Sequence, residues 1–165
     1  MPELRDVRLV QVPLDVHART VQWHEDLMRE FTLIDISESQ NAAAEEDGAD
    51  VPARLLALVA ELRSEYAPFT DPTTQELEHA RRRGEIATDV TYTVPTTVGP
   101  VAQRFNELLD EADGFCRSGD LLTLAASPEL ASFRRWFLGE FTRQLGGAQP
   151  TPWPARSGSG GQPGG

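Results

Sequence analysis

Two short runs of alternating residues, each closed by Val-Pro and each followed by a helical pattern, limit what this chain can build. Residues 6–12 (DVRLVQV) alternate and stop at Pro13; residues 88–94 (TDVTYTV) alternate more strongly, place Val90, Tyr92 and Val94 on one face, and stop at Pro95. A proline removes the N–H that a ladder needs, so neither strand is expected to run on. A third short run, DLLTLAA at 120–126, also suits a strand. The remaining periodicity is helical. The expected fold is therefore helix-rich α/β, a small sheet of short strands packed by four or five helices.

The helices are predicted from stripes and punctuation. From Asp15, the residues Val16, Thr20, Trp23, Leu27, Phe31 and Ile34 recur every three or four positions. A second helix starts at Asp50 with Pro52 in its first turn, and its apolar face is Leu55, Val59, Leu62 and Tyr66. Asp71-Pro72 is expected to open a third helix, DPTTQELEHARRRG, closed by Gly84; with only Leu77 and Ala80 to bury, it should be peripheral. The next runs from about Val98 to Cys116 and would bury Val101, Phe105, Leu108, Ala112 and Phe115. Ser127-Pro128 is an N-cap and first-turn pair for the last helix, which should end at Gly146-Gly147.

Two stretches read as unstructured. ISESQNAAAEEDGAD supplies Glu38, Glu45, Glu46, Asp47 and Asp50 with no facing basic residue, so an acidic flexible linker is expected at 36–50. Residues 148–165, rich in Pro, Gly and Ser, read as a disordered tail behind a single domain at 1–147. Within that domain, VPLDVHARTVQWHEDL (12–27) and VPTTVGPVAQRFNELL (94–109) share V-P-x-x-V, then Trp23 with Phe105, Glu25 with Glu107, and Leu27 with Leu109. A degenerate strand–helix–helix repeat would account for this.

Charge and composition exclude several functions. The formal net charge is −11, which sets phosphate repulsion against non-specific nucleic-acid binding. All 15 basic residues are arginine, so no P-loop or Schiff-base lysine exists. No apolar run approaches the roughly 20 residues of a bilayer span, and MPELRDVRLVQV lacks the order of a signal peptide. With one cysteine no internal disulfide forms, and a reduced, cytoplasmic setting is expected. Neither GxGxxG, GxxxxGK[ST] nor GxSxG occurs.

The candidate chemical residues are few. His17 and His24 are seven residues apart on one helix flank, about 10.5 Å along the axis, too far for one metal ion. Met28 stands where HExxH needs its second histidine. That flank is expected to face solvent or a partner; His79 carries less signal still. Cys116 falls near a helix C-terminus, where the dipole opposes a thiolate, and reads as a structural thiol. Arg81-Arg82-Arg83 reads as a solvated helix end supported by Glu78. No catalytic, cofactor or metal residue is assigned.

The last helix, LASFRRWFLGEFTRQLG, is more informative. At 100° per residue, Leu130, Phe133, Phe137, Leu138, Phe141 and Leu145 form one apolar arc that contains Arg134 and leaves out Arg135. A buried Arg134 needs an anion, because a lone buried charge is very costly. Glu107, Glu111 and Asp113 are nearest by topology, and Glu111 is the expected partner in a structural ion pair. Trp136 lies on the far flank. With Arg135 and Arg143 it would form a partner-binding face, since tryptophan and arginine are enriched in binding hot spots.

DEADGFCRSGDLLTLAASPELASFRRWFLGEFTRQL resembles an uncharacterised family of actinobacterial proteins associated with partner-switching regulation by serine-kinase anti-sigma factors and their antagonists. That resemblance implies a signalling role and a protein partner. The strand–VP–helix opening is similar to the histidine-kinase-type ATPase fold, but its Asn-bearing helix motif and glycine-rich lid are missing, so kinase activity is not implied. The expected function is a non-catalytic cytoplasmic regulatory or protein-interaction module, without nucleic acid, membrane or cofactor. Two alternatives stay open: a small-molecule sensor with an apolar cavity between the two halves, or an enzyme using His17, His24 and carboxylates from another helix.

Overall fold

Alternation does produce two strands, β1 (Leu4–Pro13) and β2 (Ala87–Pro95), and they pair antiparallel. We describe residues 2–40, 50–117 and 126–154 of a computed structural model; the strand expected at 120–126 lies almost wholly outside them, as do the side chains of Phe115 and Cys116. Register runs from Leu4↔Pro95 to Leu9↔Val90 and resumes at Val12↔Thr88. Across that step β1 advances three residues and β2 two, so β1 holds one extra residue. Gln11 takes up the difference in a left-handed conformation, φ 59°, and donates its N–H to Asp89 Oδ1 at 2.8 Å. The bulge keeps Val7, Leu9 and Val12 on the same buried face as Val90, Tyr92 and Val94.

The free edge of β1 is covered by one side chain and by the backbone of the C-terminal segment. The Gln144 amide accepts from the Arg8 N–H at 2.9 Å and donates to the Arg8 carbonyl at 2.8 Å, as a peptide group of a neighbouring strand would. Further along the edge, the Val10 carbonyl accepts from the Trp153 N–H at 3.0 Å.

Four helices pack on the sheet: α1 (Leu14–Gln40), α2 (Asp50–Arg82), α3 (Val98–Arg117) and α4 (Pro128–Leu145). The α1 helix continues past Ile34 to Gln40, into the segment expected to be a linker; no Gly or Pro interrupts it there. The rest of that segment, 41–49, lies outside the described residues.

The second and third helices of the sequence reading are one helix. Pro68 and Pro72 both lie inside α2 without ending it. Both are exposed, and so are Ser64 and Pro68, whose carbonyls lose their usual N–H partners and can turn to water. The far end of α2 is not peripheral: Leu77 and Ala80 are buried, and buried Thr73 donates its hydroxyl to the Thr91 carbonyl of β2 at 2.9 Å. Ser127 caps α4, accepting from the Leu130 N–H at 3.3 Å, and Gly146 ends it.

The order strand–helix–helix therefore occurs twice, as the repeat requires. Two apolar clusters form the core. One joins the inner sheet face to the distal part of α2, the start of α3 and α4; the other joins Trp23, Leu27 and Phe31 of α1 to Leu55 and Leu58 of α2 and Leu108 and Leu109 of α3. Leu62, Val101 and Leu138 touch both.

Candidate functional site

Where the two halves meet, α1 faces α3 and α4 across a cleft of about 140 Å³. Its α1 wall is His17, Thr20, Val21, Trp23 and His24, one helix flank on which the two histidines lie about two turns apart. Phe105 and Leu109 come from α3; Phe133, Arg134, Phe137 and Leu138 come from α4. A second lobe of about 280 Å³ shares His17, Val21, Phe105, Phe137 and Leu138 with the first and reaches Tyr66, Tyr92 and Phe141. The two lobes meet at those shared walls.

The flank carrying His17 and His24 thus faces inward, not toward solvent or a partner. The His17 ring packs on Phe133 and Phe137 at centroid distances of 6.1 and 5.9 Å, and His24 meets Phe105 edge-on at 5.3 Å. Burial lowers the pKa of His17, with a smaller opposing pull from Glu78. Burial, then the cations Arg63 and Arg134, push His24 down to about 4. Both rings are neutral at pH 7. The carboxylates needed for acid–base chemistry do not join them: the lining of the first lobe contains no Asp or Glu, and its one hydroxyl, Thr20, donates to the Val16 carbonyl at 2.8 Å.

Arg134 is buried in the α4 arc, at 4% exposure, as its position in the arc requires. Its anion is Asp110 and not Glu111. Arg134 Nη2 donates to Asp110 Oδ1, and Nε donates to Asn106 Oδ1 at 3.2 Å. Asn106, Asp110 and buried Asp113 are spaced i, i+4, i+7 on the face of α3 toward α4, whereas Glu111 is rotated toward α2 and meets Arg54 at 3.3 Å. The third nitrogen, Arg134 Nη1, is buried without a partner, and so is His24 Nε2. Burial lowers the Arg134 pKa, opposed by Asp110.

Arg135, Trp136 and Arg143 do not form a bare surface. Exposed Arg135 joins Asp110 through Nε and Nη2 at 3.3 and 3.2 Å. Trp136 is half-buried between Phe133 and Trp153, at 5.8 and 5.5 Å, and donates its indole N–H to the Thr151 carbonyl at 2.8 Å. Arg143 pairs with Glu140 and donates to Thr151 Oγ1 at 3.0 Å. The segment 148–154, expected to be disordered, is therefore laid over α4; two tryptophans and Glu140 give it more to bury and bond than its Pro-rich composition suggests, while 155–165 lie outside the described residues.

Sequence reasoning missed Glu140. At 2% exposure it accepts from Arg143, from Gln144 Nε2 at 2.7 Å and from the Thr151 N–H at 3.0 Å. A glutamate i−3 and i−4 from an Arg and a Gln on one helix was the available signal. Among the described residues, no group of three or more His, Cys, Asp and Glu side chains could hold a metal ion, and no helix is long and apolar enough to cross a membrane. Compared with protein-family models, curated proteins and solved structures, the chain matches none.

Proposed function

We propose that this chain is a non-catalytic regulatory module that senses a small molecule in the cleft between α1, α3 and α4. The observation that carries this reading is the two-lobed, mostly aromatic and aliphatic cleft at the junction of the halves, where ligand sites are commonly found between helices. It outweighs the reading of an exposed docking face at Trp136, because the chain's own residues 148–154 occupy much of that face. It also outweighs the enzyme reading, because the histidines pack on aromatic rings and no carboxylate lines the first lobe with them, Glu78 acting on His17 only through its charge.

Phe133 supports a route from occupancy to output. One side of its ring meets His17 in the cleft; Trp136 and Trp153 lie against it at 5.8 and 5.6 Å. A molecule that shifts Phe133 changes the seat of the 148–154 segment. In this reading the module acts in the cytoplasm on a protein partner and on neither nucleic acid nor membrane.

The test is titration with a neutral apolar probe such as indole, followed by two-dimensional amide NMR. Shifts concentrated on the cleft-lining residues of α1, α3 and α4 and on Trp153 support the reading. Shifts scattered over the surface, or none, reject it.

A further inference from the structure

The polar atoms around the cleft are unevenly satisfied, and the imbalance lies at one end. In the second lobe, Tyr66 and Thr97 pair their hydroxyls at 3.0 Å, and Thr74 and Tyr92 at 3.2 Å. The first lobe is different. Among the described residues, only two buried side-chain polar atoms lack a hydrogen-bond partner, His24 Nε2 and Arg134 Nη1, and both residues line it. Over nine in ten buried polar groups are paired, so two unpaired atoms on residues that line one lobe are a rare coincidence, and each unpaired polar atom is costly.

Charge adds direction. Arg134 is cationic, and His24 is held neutral by burial first and then by the cations Arg63 and Arg134. Asp110 is engaged through Nη2, on the other branch of the Arg134 guanidinium. In a chain of net charge −11, this lobe lacks a lining carboxylate. The end that keeps a guanidinium N–H and an imidazole nitrogen free suits an oxyanion; the rest suits hydrocarbon. Along α1 the distance from His24 back to His17 is about 10 Å, a length that an eight-carbon chain spans.

Resting on the sensor reading above, we propose that the cleft binds a small amphipathic monocarboxylate. Both atoms are closed to water in the unliganded protein, so a small rotation of each side chain turns Arg134 Nη1 and His24, in the Nε2–H tautomer, toward the carboxylate, and the hydrocarbon body runs past His17 toward Tyr92 and Phe141. The acid is recognised as its anion, and no bond is made or broken.

The experiment compares octanoate with 1-octanol at pH 7 by calorimetry on the full chain, so that the same hydrocarbon is offered with and without the charge. Octanoate should bind about tenfold more tightly than 1-octanol, the worth of a charge-assisted hydrogen bond in a dry site. The preference should vanish in His24→Leu and in Arg134→Met, and His24→Leu keeps the comparison open if Arg134→Met fails to fold. Leu138→Trp, at a part-buried position that lines both lobes, should abolish binding of both. Equal affinity for the two ligands overturns the carboxylate assignment while leaving the cleft a binding site. Octanoate preference that survives in a folded Leu138→Trp variant places the anion elsewhere and also overturns it. Failure of both ligands to bind rejects the sensor reading itself.

Discussion

Trp136 donates its indole N–H to the backbone carbonyl of Thr151 at 2.8 Å, tying the last helix to the segment that follows it. Trp153 then stacks edge-on against both Phe133 and Trp136. Replacing Trp153 with alanine should lower stability by about 2 kcal/mol, less than a fully buried tryptophan because this one is half-exposed. Urea unfolding gives the value, and the fluorescence of Trp136 should move to longer wavelength as water reaches it. A change below about 0.5 kcal/mol would show that the segment merely rests on the helix.

The neighbouring arginines should separate cleanly. Arg134→Ala removes buried bonds to Asn106 and Asp110 and should destabilise by about 2–3 kcal/mol. Arg135→Ala removes an exposed contact to the same Asp110 and should stay within about 0.5 kcal/mol. Chemical denaturation of both variants measures this, and equal effects would contradict the buried position of Arg134.

Acid should weaken the fold through His24. Its folded pKa, about 4, lies below the usual histidine value of 6.5, so the unfolded chain binds the proton more readily between those limits. Stability therefore falls as pH drops through that window, by about 2 kcal/mol between pH 7 and pH 5. His17, whose pKa is also lowered, acts in the same direction. Denaturation midpoints at the two pH values should converge substantially in His24→Leu; an unchanged pH slope in that variant would assign the effect to other groups.

Gln11 sits in a conformation that glycine adopts at little steric expense. Gln11→Gly should stabilise by up to about 1 kcal/mol, and Gln11→Val should destabilise by about 1 kcal/mol or more, because a β-branched residue resists φ above zero. Thermal unfolding of the pair checks the order, and a stabilising valine would mean that the bulge is not retained.

The strands and most helix ends were legible because their signals are local: alternation before Pro13 and Pro95, the Ser127-Pro128 cap, the glycines after Leu145. Pro72 misled the reading of α2, since a proline breaks a helix only where the freed carbonyl cannot find another partner, and exposure is not written in the sequence. The doubled strand–helix–helix order was legible in part. Its strands go out of step by one residue, and the step is resolved only by the bulge. Counted that way, Val7 and Leu9 correspond to Val90 and Tyr92, and the pair Val7↔Tyr92 exchanges with Val90↔Leu9. The burial of Arg134 followed from its place in the α4 arc, but its partner did not, because choosing Asp110 over Glu111 needs the rotation of α3. A cavity between the halves stood as an open alternative, but its lining was beyond reach for the same reason: His24 and Arg134 are 110 positions apart (134 − 24) and share a wall only through tertiary packing.

A two-stranded sheet has two open edges, and an open edge is a template on which a second molecule can add a strand. Along β1 the Gln144 amide occupies both hydrogen-bonding groups of Arg8, and Trp153 takes the carbonyl of Val10. An incoming strand would have to displace a glutamine held in turn by Glu140, together with Trp153, which packs on Phe133 and Trp136. The side chains that fasten the C-terminal segment also keep β1 from recruiting copies of itself, so solubility and the seating of that segment rise or fall together.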